Sequence, residues 1–178
     1  PMGAIAVTLF VWSDWTIQHT LVPWMRLDGA AACEGFARAI DDASRETYLY
    51  TSISGAIDYA ASQFGQRYEG LRRVVDISGD GVNNSGRPLA AARAEALDKG
   101  IVLNGLAVLD RSPQPAALLA AGLPPVDEYY RDEVIGGPGA FLMVAEGYDA
   151  FAGAVRRKII REIAAIPAPG PPVDREYA

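Results

Sequence analysis

The chain is short of the residues on which much enzyme chemistry depends. It has one cysteine, Cys33, and one histidine, His19, among 178 residues. A single thiol excludes an intrachain disulfide and a thiolate zinc cage. A Ser-His-Asp or Cys-His mechanism would have to recruit His19, which stands in an expected edge strand with no nucleophile motif nearby. Cationic side chains are in the minority: 16 Lys and Arg stand against 22 Asp and Glu, for a net charge of −6. No basic stripe with interleaved aromatics occurs, which argues against nucleic acid as a partner. The one local basic cluster is Arg156, Arg157, Lys158 and Arg161. It falls on an expected helix and is assigned to that helix's solvated face. No apolar run approaches the roughly 20 residues of a membrane span, and no signal peptide is visible. Phosphate loops are missing too. Gly79-Asp80-Gly81 lacks the dinucleotide spacing, and Gly136-Gly137-Pro138-Gly139 precedes a strand rather than a helix.

What is present is a globular composition. Half the residues are hydrophobic and 21% are charged, which suits one domain with a full core. Gly3 to Trp12 is apolar on both alternating faces, as in a strand covered on both sides. Thr16 to Trp24 alternates more and contains Pro23, so it reads as an antiparallel edge strand turning back near Ser13-Asp14. A helix capped by Asp28 carries Cys33, Phe36, Ala37 and Ile40 on an expected buried face, which makes Cys33 an inert core thiol. Thr51 or Ser52 caps a second helix with the stripe Ile53, Ala56, Ile57, Ala60, Ala61 and Phe64. Strands follow at 73–78, 101–109 and 140–145, with a helix from Pro88 to Lys99 stopped by Gly100. Residues 110–139 read as a long irregular loop with an acidic-aromatic patch, Asp127, Glu128, Tyr129 and Tyr130. The last helix puts Tyr148, Phe151, Ala152, Val155, Ile159, Ile160 and Ile163 on one face. A Pro-rich tail from 167 is expected to be disordered, leaving one domain over 1–166. Strands alternating with helices imply a mostly parallel α/β sheet with helices on both faces.

The most informative segment is VVDISGDGVNNSGRP, residues 74–88. An apolar strand ends there at Asp80, set between glycines that permit a sharp turn. Ligands bind at the carboxyl ends of strands in open α/β sheets. Thr51 stands at an equivalent loop-to-helix junction. A hydroxyl and a carboxylate are hard oxygen donors suited to Mg²⁺, Mn²⁺ or Ca²⁺. Plainer roles compete with this one: Thr51 can be a helix cap, and Asp80 an Asx-turn residue. Asp76, inside the strand, supports the site or is a buried carboxylate paired locally. Ser78, Asn83 and Asn84 are candidates to hold the loop.

Three ordered segments carry a resemblance: VVDISGDGVNNSGRP, then IVLNGLAVL at 101–109, then YYRDEVIGGPGAF at 129–141. Together they resemble the bacterial domain-of-unknown-function family 1194, regarded as von Willebrand factor type A-like, over residues 3–165. The resemblance implies a Rossmann-like fold and a metal-ion-dependent adhesion site. That site takes an Asp-x-Ser-x-Ser loop after the first strand, a Thr from a second loop and an Asp from a third. The Thr falls on Thr51 and the Asp on Asp80. The chain departs from the pattern twice. Leu49-Tyr50-Thr51 replaces the usual Gly-Gly-Thr, and no Asp-x-Ser-x-Ser occurs near the start. The first, central strand and its loop would lie before Pro1, between the strands at 3–12 and 73–78. The chain is therefore expected to be a fragment that binds metal weakly or not at all. The resemblance implies a periplasmic or secreted binding module without catalysis. An acidic residue of an unknown protein partner would complete its Mg²⁺ (or Mn²⁺/Ca²⁺) site, with the 127–130 loop and Trp12, Trp15 and Trp24 as candidate contact surface. The alternatives are a metal-assisted hydrolase and a degenerate structural domain without metal.

Overall fold

The computed structural model describes residues 3–43, 50–109 and 122–164. The expected tail from 167, and with it the end of the domain, lie outside the described residues. Two sheets form a mixed α/β architecture. β1 (Ile5–Trp12) and β2 (Gln18–Leu27) make an antiparallel hairpin. β3 (Arg73–Gly79), β4 (Ile101–Val108) and β5 (Leu142–Ala145) make a parallel sheet in that order. Each parallel step is a crossover through helix, α3 (Leu89–Asp98) between β3 and β4 being the plainest. Pro88 starts α3, and Gly100 ends it at φ +71.

β4 is the middle strand, and all eight of its residues are buried. On one side of the parallel sheet, α2 (Ile53–Gln63) and α3 bury Ile53, Ile57, Leu89, Ala92 and Ala96 against Val75, Ile77 and Leu103. On the other, the C-terminal helix α5 (Phe151–Ala164) lies over Leu106, Val108 and Ala145. The hairpin joins the first core through Phe10 and Trp12. No ladder links it to the parallel sheet, so β1 and β3 each have one edge unpaired among the described residues.

Five expectations are corrected. β1 is apolar at every position but Thr8, yet none of its eight residues is buried, because it is laddered on one edge alone among the described residues. Cys33 is exposed and α1 (Ala30–Asp41) buries no residue. That helix rests on the two-stranded hairpin, with Gly35 facing Met25, and its half-buried positions are 32, 35, 36, 39 and 40, a stripe turned by one residue. Residues 126–134 are helical rather than irregular. They form α4 (Val126–Tyr129) and a π-helical turn (Tyr130–Val134), and they bury Tyr130 completely.

The largest correction concerns α5. Its apolar stripe faces outward, with Phe151, Ile159, Ile160 and Ile163 exposed, and Tyr148 just before it exposed as well. Lys158, assigned to the solvated face, is 3% exposed. Finally, Asp76 is paired but not buried. Its carboxylate is 40% exposed and forms an ion pair with Lys158. The helix face on the sheet is thus Ala154, Lys158 and Glu162, spaced by four. Glu162 accepts from the fully buried Asn104 at 2.5 Å and pairs with Arg72 at 2.8 Å. On the sheet face that α5 covers, polar side chains of β3 and β4 stand beside the apolar Leu106, Val108 and Ala145.

Candidate functional site

Three parallel strands end side by side, and the loops beyond them form a rim. Gly79 ends β3 and Asp80 follows it, exposed. The loop 80–87 then folds back over the start of α2. Asn84 clamps it: its N–H donates to the Thr51 carbonyl at 2.8 Å, and its Oδ1 accepts from the Thr51 N–H at 2.8 Å. Asn83 Oδ1 accepts from the Ser54 N–H at 2.9 Å, and the Asn83 N–H donates to the Tyr129 hydroxyl at 3.3 Å. Both asparagines therefore hold the loop through their side-chain oxygens.

Thr51 is brought to this loop. Its Oγ1 lies 3.3 Å from where a Cβ on Gly81 would be. Ser52, not Thr51, caps α2, accepting from the Gly55 N–H at 3.1 Å. The Thr51 hydroxyl is thereby relieved of the structural role that its position first suggested. Ser52 also ties the rim to the hairpin, its N–H donating to the Ser13 carbonyl at 2.6 Å. Ser85 donates to Asp14 across the same junction.

Asp80 accepts a hydrogen bond from the Tyr148 hydroxyl. Tyr148 was expected on the apolar face of the last helix; it stands three residues past the end of β5, on the same carboxyl edge. Ser78, Gly79, Asp80, Val108, Tyr148 and Phe151 line a shallow open cavity of about 260 Å³. Asp76 does not belong to this group. It sits mid-strand, four residues below the rim, committed to Lys158. Of the tryptophans, Trp12 packs into the core, Trp24 packs against Phe64 and Tyr68, and Trp15 is exposed.

Beneath the rim lies an unsatisfied group. The Tyr130 hydroxyl is buried and has no hydrogen-bond partner among the described residues. It approaches the β3 end so closely that a Cβ on Gly79 would lie 2.5 Å away. Burial, reinforced by Asp80, pushes the phenol well above its ordinary value. An orphaned buried hydroxyl costs about 1–3 kcal/mol. Tyr130→Phe is accordingly expected to raise the unfolding free energy by about 1 kcal/mol, measured by urea denaturation at pH 7. A folded-state value above the unfolded one means that the folded protein keeps a proton the unfolded chain loses. Wild-type stability therefore falls as pH rises past about 10, and the Phe variant loses less over that range.

Thr51 and Asp80 suit a hard divalent cation in kind but not in number. Calcium takes six to eight oxygens, and magnesium six in a strict octahedron. Among the described residues no three of His, Cys, Asp and Glu gather where they could hold a metal ion. No helix among them is long and apolar enough to cross a membrane.

A family model described as "Protein of unknown function (DUF1194)" matches residues 1–167. Among solved structures, the conserved hypothetical protein BatB from Bacteroides thetaiotaomicron is similar, with a TM-score of 0.57 at 19% identity. The match covers 89% of this chain and 79% of that one. At that identity the likeness speaks for the fold alone. No curated protein matches the chain.

Proposed function

This chain belongs to the DUF1194 family of proteins of unknown function, and from that premise we propose that it is a non-enzymatic binding module of von Willebrand factor A-like type. Its rim contributes Thr51 and Asp80 to a divalent-cation site in a longer parent. The observation that carries this reading is the clamp that seats Thr51 against the Asp80–Gly81 turn while Ser52 does the capping. Two oxygen donors arriving on separate, mutually braced loops are what a metal-dependent rim needs from this part of the chain.

The remaining donors come, in this proposal, from a segment upstream of Pro1 whose strand enters between β1 and β3. Three features of the described residues support that placement: each of those strands keeps an unpaired edge, β1 is largely apolar yet nowhere buried, and the Tyr130 hydroxyl lacks a partner near the end of β3. Unpaired edges are costly when dry and prone to pairing when wet. A protein partner would offer a carboxylate to the cation's open position, and no bond would be made or broken. Mg²⁺ is the proposed ion, with Mn²⁺ or Ca²⁺ as substitutes, and a periplasmic or secreted setting goes with the reading.

Calorimetric titration with Mg²⁺ and Mn²⁺ tests it. The present chain is expected to bind either ion weakly or not at all. A parent chain extended upstream is expected to bind, and Thr51→Ala or Asp80→Asn in that parent to abolish binding. Tight binding by the present chain, or none by the extended one, refutes the proposal.

A further inference from the structure

α5 is 14 residues long, about 21 Å at the helical rise. On its sheet side, Lys158 pairs with Asp76, and Glu162 with Arg72 and Asn104. Its other side is left open among the described residues. Ile159, Ile160 and Ile163 are 42–56% exposed there, and Arg156, Arg157 and Arg161 are exposed with them. Helical spacing sets Arg156 beside Ile159 and Ile160, at i+3 and i+4, while Arg157 and Arg161 form a row along one flank. Glu162 is the one carboxylate of α5. It is already paired, so the exposed ridge is both apolar and cationic. The open space along it is lined by Phe151, Ala152, Val155, Arg156, Ile159 and Ile160, all from the helix itself. With no second element to wall that space, fluid acyl chains suit it better than a folded partner.

Charge is unequally distributed over the molecule. α4 and the π-helical turn carry Asp127, Glu128, Asp132 and Glu133. They pack into the first core with α2 and α3, on the other side of the sheet. A chain of net charge −6 thus holds an arginine ridge on one side and an acidic cluster on the other. An anionic surface would orient such a molecule with α5 towards it.

We propose that the exposed ridge of α5 docks on an anionic lipid surface, with its isoleucines at the acyl boundary and its arginines on the headgroup phosphates. Helices that lie in the plane of a bilayer interface combine these two features, and long arginine stems reach from an apolar face to the headgroups. A nucleic acid would use the arginines and leave the isoleucines in water. The inference is independent of the cation reading.

Sedimentation of the full chain with vesicles tests it. Binding is expected to vesicles of phosphatidylglycerol and phosphatidylcholine in equal parts, weakening with salt, and not to phosphatidylcholine alone. Each basic side chain near such a surface contributes about fivefold. Arg156→Gln combined with Arg157→Gln should therefore weaken binding roughly 25-fold. Ile159→Ser combined with Ile160→Ser should weaken it about tenfold, since each side chain has only half its surface left to bury. Arg131→Gln, on the π-helical turn across the sheet, should bind as wild type. All these positions are exposed, and an unchanged circular dichroism spectrum shows each variant folded. Binding that survives either paired variant, or that falls as far in Arg131→Gln, overturns the ridge as the docking surface. No sedimentation with phosphatidylglycerol at low salt overturns the lipid partner. Capture by immobilised polyglutamate in its place would give the face to an acidic protein and overturn it as well.

Discussion

Replacing Asp76 with alanine is expected to lower the unfolding free energy by about 3 kcal/mol, while Lys158→Met stays within about 1 kcal/mol of wild type. The asymmetry follows from where the two charges sit. The Lys158 side chain is 4% exposed and the Asp76 side chain 40%. Removing the carboxylate strands a buried ammonium whose Nζ has no hydrogen-bond partner among the described residues. Removing the ammonium leaves a carboxylate that water can reach, and a methionine stem fills the same space beside Phe141. Urea denaturation of the two single variants measures the difference. Equal losses would mean that Lys158 reaches water.

The pH dependence has a definite sign. Burial already holds the Lys158 ammonium below its ordinary value, with Asp76 pulling the other way. Without Asp76 that counterweight is gone and the folded-state value falls further. Between that value and about 10.4 the unfolded chain binds more protons than the folded one, so stability rises with pH across the window. The Asp76→Ala deficit should therefore shrink as pH is raised from 7 towards 10.

The same pair shows where sequence periodicity stops being informative. Phe151, Val155, Ile159 and Ile163 recur at helical spacing, and such a stripe ordinarily points inward. Here Asp76 and Asn104, on neighbouring strands at matched register, face the helix from the sheet. Burying Asn104 or Lys158 unpaired would be costly, and Glu162 answers the first while Asp76 answers the second. Neither partner is recognisable from a linear pattern, because the pairing joins residues 58 to 82 positions apart. The strands read better. Their apolar runs, read at 73–78 and 101–109, are local, and they match the observed Arg73–Gly79 and Ile101–Val108 within a residue. Burial of β1 read poorly, since it depends on what lies along its second edge rather than on its own composition.

At the rim, residue type and loop position were enough to single out Thr51, Asp80, Asn83 and Asn84. How they divide the work was not legible. A Thr-Ser pair before a helix leaves open which residue caps, and the fold assigns that task to Ser52. Tyr148 was hidden for the opposite reason: an aromatic in phase with an apolar stripe reads as core, although it ends up over Asp80.

Gly86→Ala is expected to be the most damaging single change to the rim, costing roughly 2–5 kcal/mol. Gly86 has φ +85, a left-handed conformation that costs an L-residue about 1–2 kcal/mol. Space is lacking as well. A Cβ there would lie 2.6 Å from Ser52 Oγ, 2.9 Å from Ser54 Oγ and 3.0 Å from Trp15 Cβ. Overpacking of that kind costs about 1–3 kcal/mol more. Ser52 and Ser54 are fully buried, and Ser52 is held in place by its own capping bond, so the loop must give instead. Moving 80–87 away from α2 loosens the Asn83–Ser54 and Asn84–Thr51 bonds together. The control is Gly65→Ala. It shares a positive φ, +81, but has nothing within 4 Å of its Cβ, so it should show the backbone cost alone. Denaturation of both variants, with amide exchange at 51–54 and 81–85, separates the two effects. Fast exchange at the rim in Gly86→Ala and not in Gly65→Ala would show that one glycine's close approach holds Thr51 and Asp80 in register. Equal stability losses, with the rim protected in both, would show that the loop absorbs the methyl group without letting go of α2.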